Sequence, residues 1–106
     1  MRNIDQIEWR ELLANDQNAT IIDVRTPEEW SQGVLENAIM LDVLQLTPFE
    51  KEAKELTKEM NYYIYCRSGM RSAKACEILE NIGVKNTFNL LGGMLDWNGN
   101  KIVPVS

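Results

Sequence analysis

Histidine is absent from the 106 residues of this chain, and cysteine occurs only twice. The absence of histidine excludes a Cys-His catalytic pair and a Ser-His-Asp triad, and it argues against a zinc site. If the segment between Cys66 and Cys76 is mostly helical, the two thiols are about 15 Å apart, which is too far for a disulfide. We therefore expect no disulfide, no metal and no other cofactor.

A long apolar run is also absent, and so is an excess of positive charge. No stretch approaches the about 20 apolar residues of a transmembrane helix, and the first 30 residues carry Asp and Glu rather than the pattern of a signal peptide. The net charge of −5 disfavours broad attraction to nucleic acid or to an anionic membrane. These absences predict a cytoplasmic protein with no nucleic-acid partner and no membrane partner.

The composition that remains is that of an ordinary globular protein, with 44% hydrophobic and 25% charged residues. A chain of 106 residues is long enough for one compact domain and too short for two. A domain of this size can fold without disulfides or metals. We expect residues 1–106 to form a single domain.

Strand and helix patterns alternate along the chain. The strand patterns cover residues 20–24, 38–41, 62–65 and 87–91. The helical patterns cover 5–14 with Asp5 as N-cap, 27–32 with Thr26 as N-cap, 48–60 with Thr47 as N-cap, 72–82 and 94–97. The alternation favours an α/β domain with a mainly parallel sheet of about five strands, flanked by helices on both faces.

Several local contacts are also predicted. Arg25 and Glu29 are close enough to pair beside the carboxyl end of the strand 20–24. Asp23 and Arg25 are interpreted as structural rather than catalytic, since buried ion pairs commonly hold such residues. The tail 101–105 is expected to pack back onto the core, and the paired glycines Gly92-Gly93 allow a close approach beside the loop that begins at Cys66.

That loop organises the chain, and it reads Cys66-Arg67-Ser68-Gly69-Met70-Arg71-Ser72. It places a cysteine where a buried strand ends and a helix begins. Helix N-termini present unpaired backbone N–H groups and the positive end of the helix dipole, so a thiol there ionises more easily. Cys66 is therefore a candidate nucleophile in an exposed loop. Cys76 lies on the apolar face of the following helix and is predicted to be a core residue.

Two arginines flank the candidate nucleophile in an otherwise acidic chain. Arg71 is expected in the first turn of the helix, where a cation is unfavourable by about 0.3–1 kcal/mol. A residue that breaks a local rule suggests a function. We interpret Arg67, Arg71 and the loop N–H groups as a site for an anion above the sulfur. The alternative is an ordinary helix start with surface arginines and a core cysteine.

Three segments in this order resemble the rhodanese (sulfurtransferase) family, and the resemblance covers nearly the whole chain. They are Ile22-Asp23-Val24-Arg25-Thr26-Pro27-Glu28-Glu29-Trp30, the Cys66 loop, and Asn89-Leu90-Leu91-Gly92-Gly93-Met94-Leu95-Asp96-Trp97. The family usually has Gly-His-Ile-Pro-Gly-Ala after the second helix. Here Gly33-Val34-Leu35-Glu36-Asn37-Ala38 lacks the histidine and the second glycine, a departure at scaffold positions that leaves the loop untouched.

The resemblance implies that Cys66 is the catalytic nucleophile. It would attack the outer sulfur of a donor such as thiosulfate, expel sulfite and carry a persulfide, whose sulfur then passes to cyanide, a thiol or a protein. The implied partners are thus a small anionic sulfur donor and a thiol or protein acceptor. The expected substrate-binding residues are Arg67, Ser68, Gly69, Met70, Arg71 and Ser72.

Within that set, the serine hydroxyls add hydrogen-bond donors or cap the helix, and Gly69 lets the loop curve around the sulfur. Met70 either lines the mouth of the pocket or packs against its neighbours.

Two other functions stay open. Cysteine-dependent phosphatases and arsenate reductases resemble a loop with five residues between cysteine and arginine, whereas four residues separate Cys66 from Arg71 here. The shorter loop suits a sulfur atom on the cysteine better than a tetrahedral oxyanion. The second alternative is a persulfide carrier or sensor, or a partner-binding module. The sequence does not separate a dedicated carrier from an enzyme, since the carrier differs only in having a protein acceptor.

Overall fold

Five strands and five helices alternate in residues 1–104, the part of the chain that the computed structural model describes. The strands are β1 (Arg2–Ile4), β2 (Ala19–Asp23), β3 (Ile39–Met40), β4 (Asn61–Tyr65) and β5 (Asn86–Leu90). The helices are α1 (Gln6–Ala14), α2 (Pro27–Trp30), α3 (Leu46–Lys54), α4 (Met70–Asn81) and α5 (Gly93–Asp96). None of the helices in residues 1–104 combines the length and the hydrophobicity that a membrane span requires.

The strands form one sheet in the order β1-β5-β4-β2-β3, and every neighbouring pair is parallel. The predicted mainly parallel α/β sheet is confirmed, and β4 is its central strand. The carboxyl ends of all five strands therefore lie along one edge. The edge strand β1 was not predicted, because three residues are too few to show an alternating pattern and Ile4 also fits the apolar side of α1.

Side chains of β4 alternate between two cores, one on each face of the sheet. Tyr62 and Ile64 belong to the core that α3 and α4 cover. Tyr63 and Tyr65 belong to the core that α1 and α5 cover, where both rings meet the fully buried Trp9 edge to face. The prediction of helices on both faces of the sheet is confirmed.

Two of the predicted N-caps form as expected. Asp5 accepts a hydrogen bond of 2.9 Å from the backbone N–H of Glu8 at the start of α1. At the start of α2, the Thr26 hydroxyl accepts from the Glu29 N–H, and the Glu29 carboxylate accepts from the Thr26 N–H. This reciprocal box fixes the direction in which the Glu29 side chain leaves the helix.

The helix α3 begins earlier than predicted. Gln45 is its N-cap, so the prediction that Thr47 caps this helix is wrong. Pro48 then occupies the third helical position. The N–H that proline lacks has no intrahelical partner at that position, so the earlier start costs no hydrogen bond.

The same helix also ends earlier, at Lys54 rather than near Met60. The Lys58 ammonium donates to the backbone carbonyl of Lys54, which the helix end leaves open, and to that of Leu56 in the turn that follows. Leu56 and Met60 pack against the core, a position that the turn after α3 allows.

The tail contacts the segment that follows α2. The backbones of Val34 and Ile102 exchange two hydrogen bonds of 2.8 Å each. Val34 is buried, whereas the side chain of Ile102 is exposed, so the tail is held by its backbone more than by apolar packing. Val105, the last residue of the predicted contact, lies outside the described residues.

Candidate active site

Cys66 directly follows β4, at the edge of the sheet where the carboxyl ends of the strands meet. The residue is 0% exposed, so the expectation that this cysteine lies in an exposed loop is wrong. The alternation of β4 continues one step past the strand and places Cys66 in the same core as Tyr62 and Ile64. Arg67 and Ser68, the next two residues, are exposed.

The sulfur of Cys66 faces the N-terminus of α4. The Gly69 N–H donates to Sγ at 3.1 Å, and the Ser72 hydroxyl oxygen lies 3.3 Å from it. Gly69 adopts φ +109°, a left-handed conformation that turns the loop back over the sulfur. Burial raises the pKa of the thiol, but hydrogen bonds from Ser72, Gly69 and Ser68 outweigh it, so the pKa of Cys66 lies below its ordinary value.

The start of α5 holds the first part of the loop from the other side. The N–H groups of Met94 and Leu95 donate to the carbonyls of Cys66 and Arg67 at 2.9 and 3.0 Å. A Cβ at Gly93 would lie 2.5 Å from the carbonyl oxygen of Cys66, so only glycine permits this approach. The predicted contact between the paired glycines and the loop is confirmed.

Arg71 lies in the first turn of α4, as predicted, and binds a carboxylate of the protein itself. Its guanidinium makes a two-pronged contact with Glu29 of α2, with N–O distances of 2.7 and 2.9 Å. The hydrogen bond from Arg71 is the main reason that the pKa of Glu29 falls to about 2. In this structure Glu29 therefore occupies the arginine that the sequence assigns to a bound anion.

The predicted pairing of Arg25 with Glu29 is wrong. Arg25 instead pairs with Asp23 at 2.8 Å and donates to the carbonyl of Gly33, and both charged residues are buried. The capping box of α2 turns Glu29 toward Arg71, which leaves Arg25 to fold back onto the carboxylate two residues earlier. The structural interpretation of Asp23 and Arg25 thus agrees with their contacts.

A cavity of about 180 Å³ lies beside the loop. Arg67 lines it from the loop and Lys101 lines it from the tail. Neither side chain pairs with a carboxylate among residues 1–104. The other lining residues are Arg25, Glu29, Gln32, Gly33, Met94 and Leu95.

Met70, the first residue of α4, does not line this cavity, and 81% of its surface is exposed. That exposure excludes the packing role considered for Met70.

Asn89 of β5 joins the site although sequence reasoning did not select it. Its side chain is 2% exposed and contacts the Ser72 hydroxyl, the Gly69 carbonyl and Asn3 of β1. A polar residue at an inward position of a strand is the signal that could have identified it. The contact itself depends on the order of the strands, which no local pattern reveals.

Cys76 is buried within α4, and its predicted place in the core is confirmed. Burial raises the pKa of this thiol to about 12, so it stays protonated at neutral pH. Both cysteines are free thiols. Within residues 1–104 no three carboxylate or thiol side chains come close enough to hold a metal ion.

A five-stranded parallel sheet with helices on both faces, and a cysteine loop after its central strand, is the architecture of a rhodanese-like domain. The family model for the Rhodanese-like domain matches residues 6–100, and this chain belongs to that family. The crystal structure of a rhodanese-like domain protein from Staphylococcus aureus superimposes with a TM-score of 0.85 at 31% identity, covering 99% of this chain and 100% of that one.

The relatives that resemble the chain carry more than one name. A sulfurtransferase from Allochromatium vinosum is 35% identical over 97 residues, which cover 92% of this chain and 88% of that protein. A tRNA uridine(34) hydroxylase from Pelagibacter ubique is 33% identical over 95 residues, which cover 90% of this chain but only 31% of that protein. The chain is thus similar to sulfurtransferase-type rhodanese domains, in a family whose members are named for different functions.

Proposed function

We propose that this chain is a sulfurtransferase in which Cys66 carries sulfane sulfur as a persulfide. Residues 1–106 act as one rhodanese-like domain, with Cys66 as the catalytic residue and the following loop residues, 67–72, as the substrate-binding residues. The observation that carries the proposal is the environment of the Cys66 sulfur. Hydrogen bonds at the start of α4 lower the pKa of a thiol whose burial alone would raise it.

The reaction has two displacements at sulfur. In the first, the Cys66 thiolate bonds to the outer sulfur of thiosulfate, the S–S bond of thiosulfate breaks, and sulfite leaves with the electron pair. In the second, the acceptor bonds to the outer sulfur of the persulfide, and Cys66 leaves as a thiolate. Neither step needs a general base once the thiolate is populated, which suits a chain without histidine.

The charges around the loop favour an anionic donor. Arg67 and Lys101 line the cavity beside the loop without a carboxylate partner in residues 1–104, so they supply local positive charge in a chain of net charge −5. Arg71 joins them only when it leaves Glu29. A phosphatase would use the same arginine for its tetrahedral oxyanion, so the pairing of Arg71 with Glu29 does not separate the two functions. The four residues between Cys66 and Arg71 favour sulfur transfer over that alternative.

The acceptor in the cell is a thiol or a protein, and a persulfide carrier would use the same chemistry. Two free cysteines fit a reducing compartment, so we propose the cytoplasm as the location. The donor half-reaction is common to an enzyme and a carrier. The acceptor half-reaction separates them, because an enzyme also passes sulfur to a small thiol with turnover.

The test is the intact mass of the protein after incubation with thiosulfate and then with cyanide. The wild-type chain should gain the mass of one sulfur atom and lose it as thiocyanate forms. Cys66→Ser should gain nothing, because a hydroxyl does not form a persulfide. Cys76→Ser is the matched control and should load sulfur as the wild-type chain does.

Three results would contradict the proposal or narrow it. Sulfur loading in folded Cys66→Ser, or loss of loading in folded Cys76→Ser, would mean that the chemistry depends on Cys76, and it would contradict the proposal. No loading together with hydrolysis of an aryl phosphate would support the phosphatase alternative. Sulfur loading without multiple turnover to any small thiol would support the persulfide carrier instead of the enzyme.

A further inference from the structure

The hydroxyl of Ser72 lies between two groups that can both accept its hydrogen. Its oxygen is 3.3 Å from the Cys66 sulfur and 2.5 Å from Oδ1 of Asn89. All three residues are at most 2% exposed, so water does not readily replace either contact. Ser72 is the third residue of α4, and Asn89 approaches it from β5.

The orientation of the Asn89 amide follows from its other neighbour. Asn89 Nδ2 is 3.1 Å from the carbonyl oxygen of Gly69, and a carbonyl oxygen can only accept a hydrogen bond. Because Nδ2 must face Gly69, Oδ1 must face Ser72. An amide oxygen is also only an acceptor, so the contact between Asn89 and Ser72 exists only when Ser72 donates its hydrogen.

A serine hydroxyl has one hydrogen, so Ser72 cannot donate to Asn89 and to the sulfur at the same time. With a neutral thiol the contacts agree: Cys66 S–H donates to Ser72, and Ser72 donates to Asn89. With a thiolate the sulfur can only accept, so Ser72 must rotate its hydrogen to the sulfur. Oδ1 of Asn89 is then left without that donor inside the protein, which carries a free-energy cost.

We propose that Asn89 is a positioning residue that competes with the Cys66 sulfur for the single hydroxyl hydrogen of Ser72, so that the cysteine ionises only when Ser72 releases Asn89. The inference rests on the proposed function of Cys66 and concerns the same site. When the thiol ionises, its proton passes to solvent and no covalent bond of Ser72 or Asn89 changes. Asn89 thereby holds the resting cysteine partly in the thiol form, less reactive toward oxidants and alkylating agents.

Charged groups also face this site, and the variants at Asn89 and Ser72 retain all of them. Arg71 of α4 interacts electrostatically with Cys66, and its charge is balanced by Glu29 of α2 and influenced by Asp42 of the segment after β3. Arg67 projects from the loop into the neighbouring cavity. The substitutions that follow change none of these charges. Asn89→Asp adds a new negative charge, and the direction of its effect is part of the test.

The first experiment measures the rate of Cys66 alkylation by iodoacetamide against pH, in a Cys76→Ala background that leaves one thiol. Asn89→Leu keeps the branched shape and the number of non-hydrogen side-chain atoms, although it is larger, and it has no acceptor. It should therefore lower the apparent pKa of Cys66 by about one unit, within the range of hydrogen-bond effects on pKa. Thr87→Val is the matched control: Thr87 is buried on β5 two residues earlier, and its loss should leave the profile unchanged.

The decisive comparison repeats Asn89→Leu in a Ser72→Ala background. Without the hydroxyl there is no hydrogen to compete for, so Asn89→Leu should then shift the profile by less than about 0.3 unit. An equal shift in both backgrounds would mean that Asn89 acts only through the loop geometry, and it would overturn the proposal. No shift of the Cys66 pKa in either background would also overturn the proposal. So would an upward shift in the chain that retains Ser72.

Asn89→Asp keeps the test valid if Asn89→Leu does not fold. The carboxylate accepts the Ser72 hydrogen more strongly and adds a negative charge, so the pKa of Cys66 should rise, and a fall would overturn the proposal. Alkylation needs no sulfur donor. A chain that fails to load sulfur but shows the Ser72-dependent shift would contradict the proposed function alone.

Discussion

The reactivity of a buried thiol depends on the donors that face it, and the two cysteines of this chain make the comparison directly. Both are 0% exposed and belong to the same core, yet their pKa values move in opposite directions. Burial raises the pKa of Cys76 to about 12, and a contact with Thr87 does not offset it. Around Cys66, the N–H groups at the start of α4 and the Ser72 hydroxyl outweigh burial. Burial and a lowered thiol pKa are therefore compatible where a helix begins.

The pairing of Arg71 with Glu29 leads to a prediction at the same scale. Glu29 competes with an anionic donor for the guanidinium, so Glu29→Gln should lower the KM for thiosulfate by about fivefold, which corresponds to about 1 kcal/mol. Steady-state kinetics with varied thiosulfate measures this effect. Glu28→Gln is the control, because Glu28 is exposed, adjacent in sequence and has no ion pair with Arg71. An unchanged or higher KM in Glu29→Gln would exclude Arg71 from donor binding.

At the scale of elements, the loop that begins at Cys66 is held between two helices of unequal length. The twelve-residue helix α4 supplies N–H groups to the sulfur, whereas the four-residue helix α5 supplies N–H groups to the carbonyls of Cys66 and Arg67. Because α5 is too short to be stable alone, its position depends on these contacts and on the packing of Met94 in the core. Gly92, its N-cap, and Gly93, its first residue, allow the two segments to meet.

Gly93→Ala tests that arrangement. The added Cβ would meet the carbonyls of Cys66 and Arg67 at 2.5 and 2.6 Å, and the backbone has φ +52°. We expect a loss of unfolding free energy of about 3 kcal/mol by urea denaturation and slower sulfur loading, because the loop must move.

Gly83→Ala is the control, because it places an alanine at a positive φ without a steric clash with the Cys66 loop. Gly83 has φ +103°, but its nearest neighbour is a flexible Lys58 side chain at 3.7 Å. This variant should lose about 1 kcal/mol and load sulfur normally. Equal losses of stability and activity in the two variants would mean that the contact between α5 and the loop is unimportant.

At the scale of the whole molecule, the parts that could be predicted are those that local patterns encode. A few neighbouring residues suffice to predict the capping box of Thr26 and the cysteine at a strand-to-helix junction. The alternation of strands and helices implies a parallel sheet. The pairs Arg71–Glu29 and Ser72–Asn89 join residues 42 and 17 positions apart. They exist because β4 lies between β2 and β5, and the order of strands is not a local property.

Acid stability is the property in which these long-range contacts become visible for the whole molecule. The hydrogen bond from Arg71 is the main cause that lowers the pKa of Glu29 to about 2 from an ordinary 4.5. For Asp16, burial raises the pKa, but hydrogen bonds from Tyr63 and Asn61 outweigh it and the pKa is lowered. A carboxyl group whose pKa falls on folding contributes stability that is complete above its unfolded pKa and is lost as pH decreases toward its folded pKa.

The folded state should therefore keep a constant urea midpoint from pH 7 to about pH 5.5 and lose stability steadily between about pH 5 and pH 3. Glu29→Gln removes one of the responsible groups, so its midpoint should be lower than that of the wild-type chain at pH 7, and the difference should shrink as the pH falls. Glu28→Gln should follow the wild-type curve, because Glu28 is exposed and has no ion-pair partner in residues 1–104. If the Glu29→Gln and wild-type curves stayed parallel down to pH 3, the link between α2 and α4 would contribute nothing to acid stability, and the loss would have to come from other carboxylates such as Asp16.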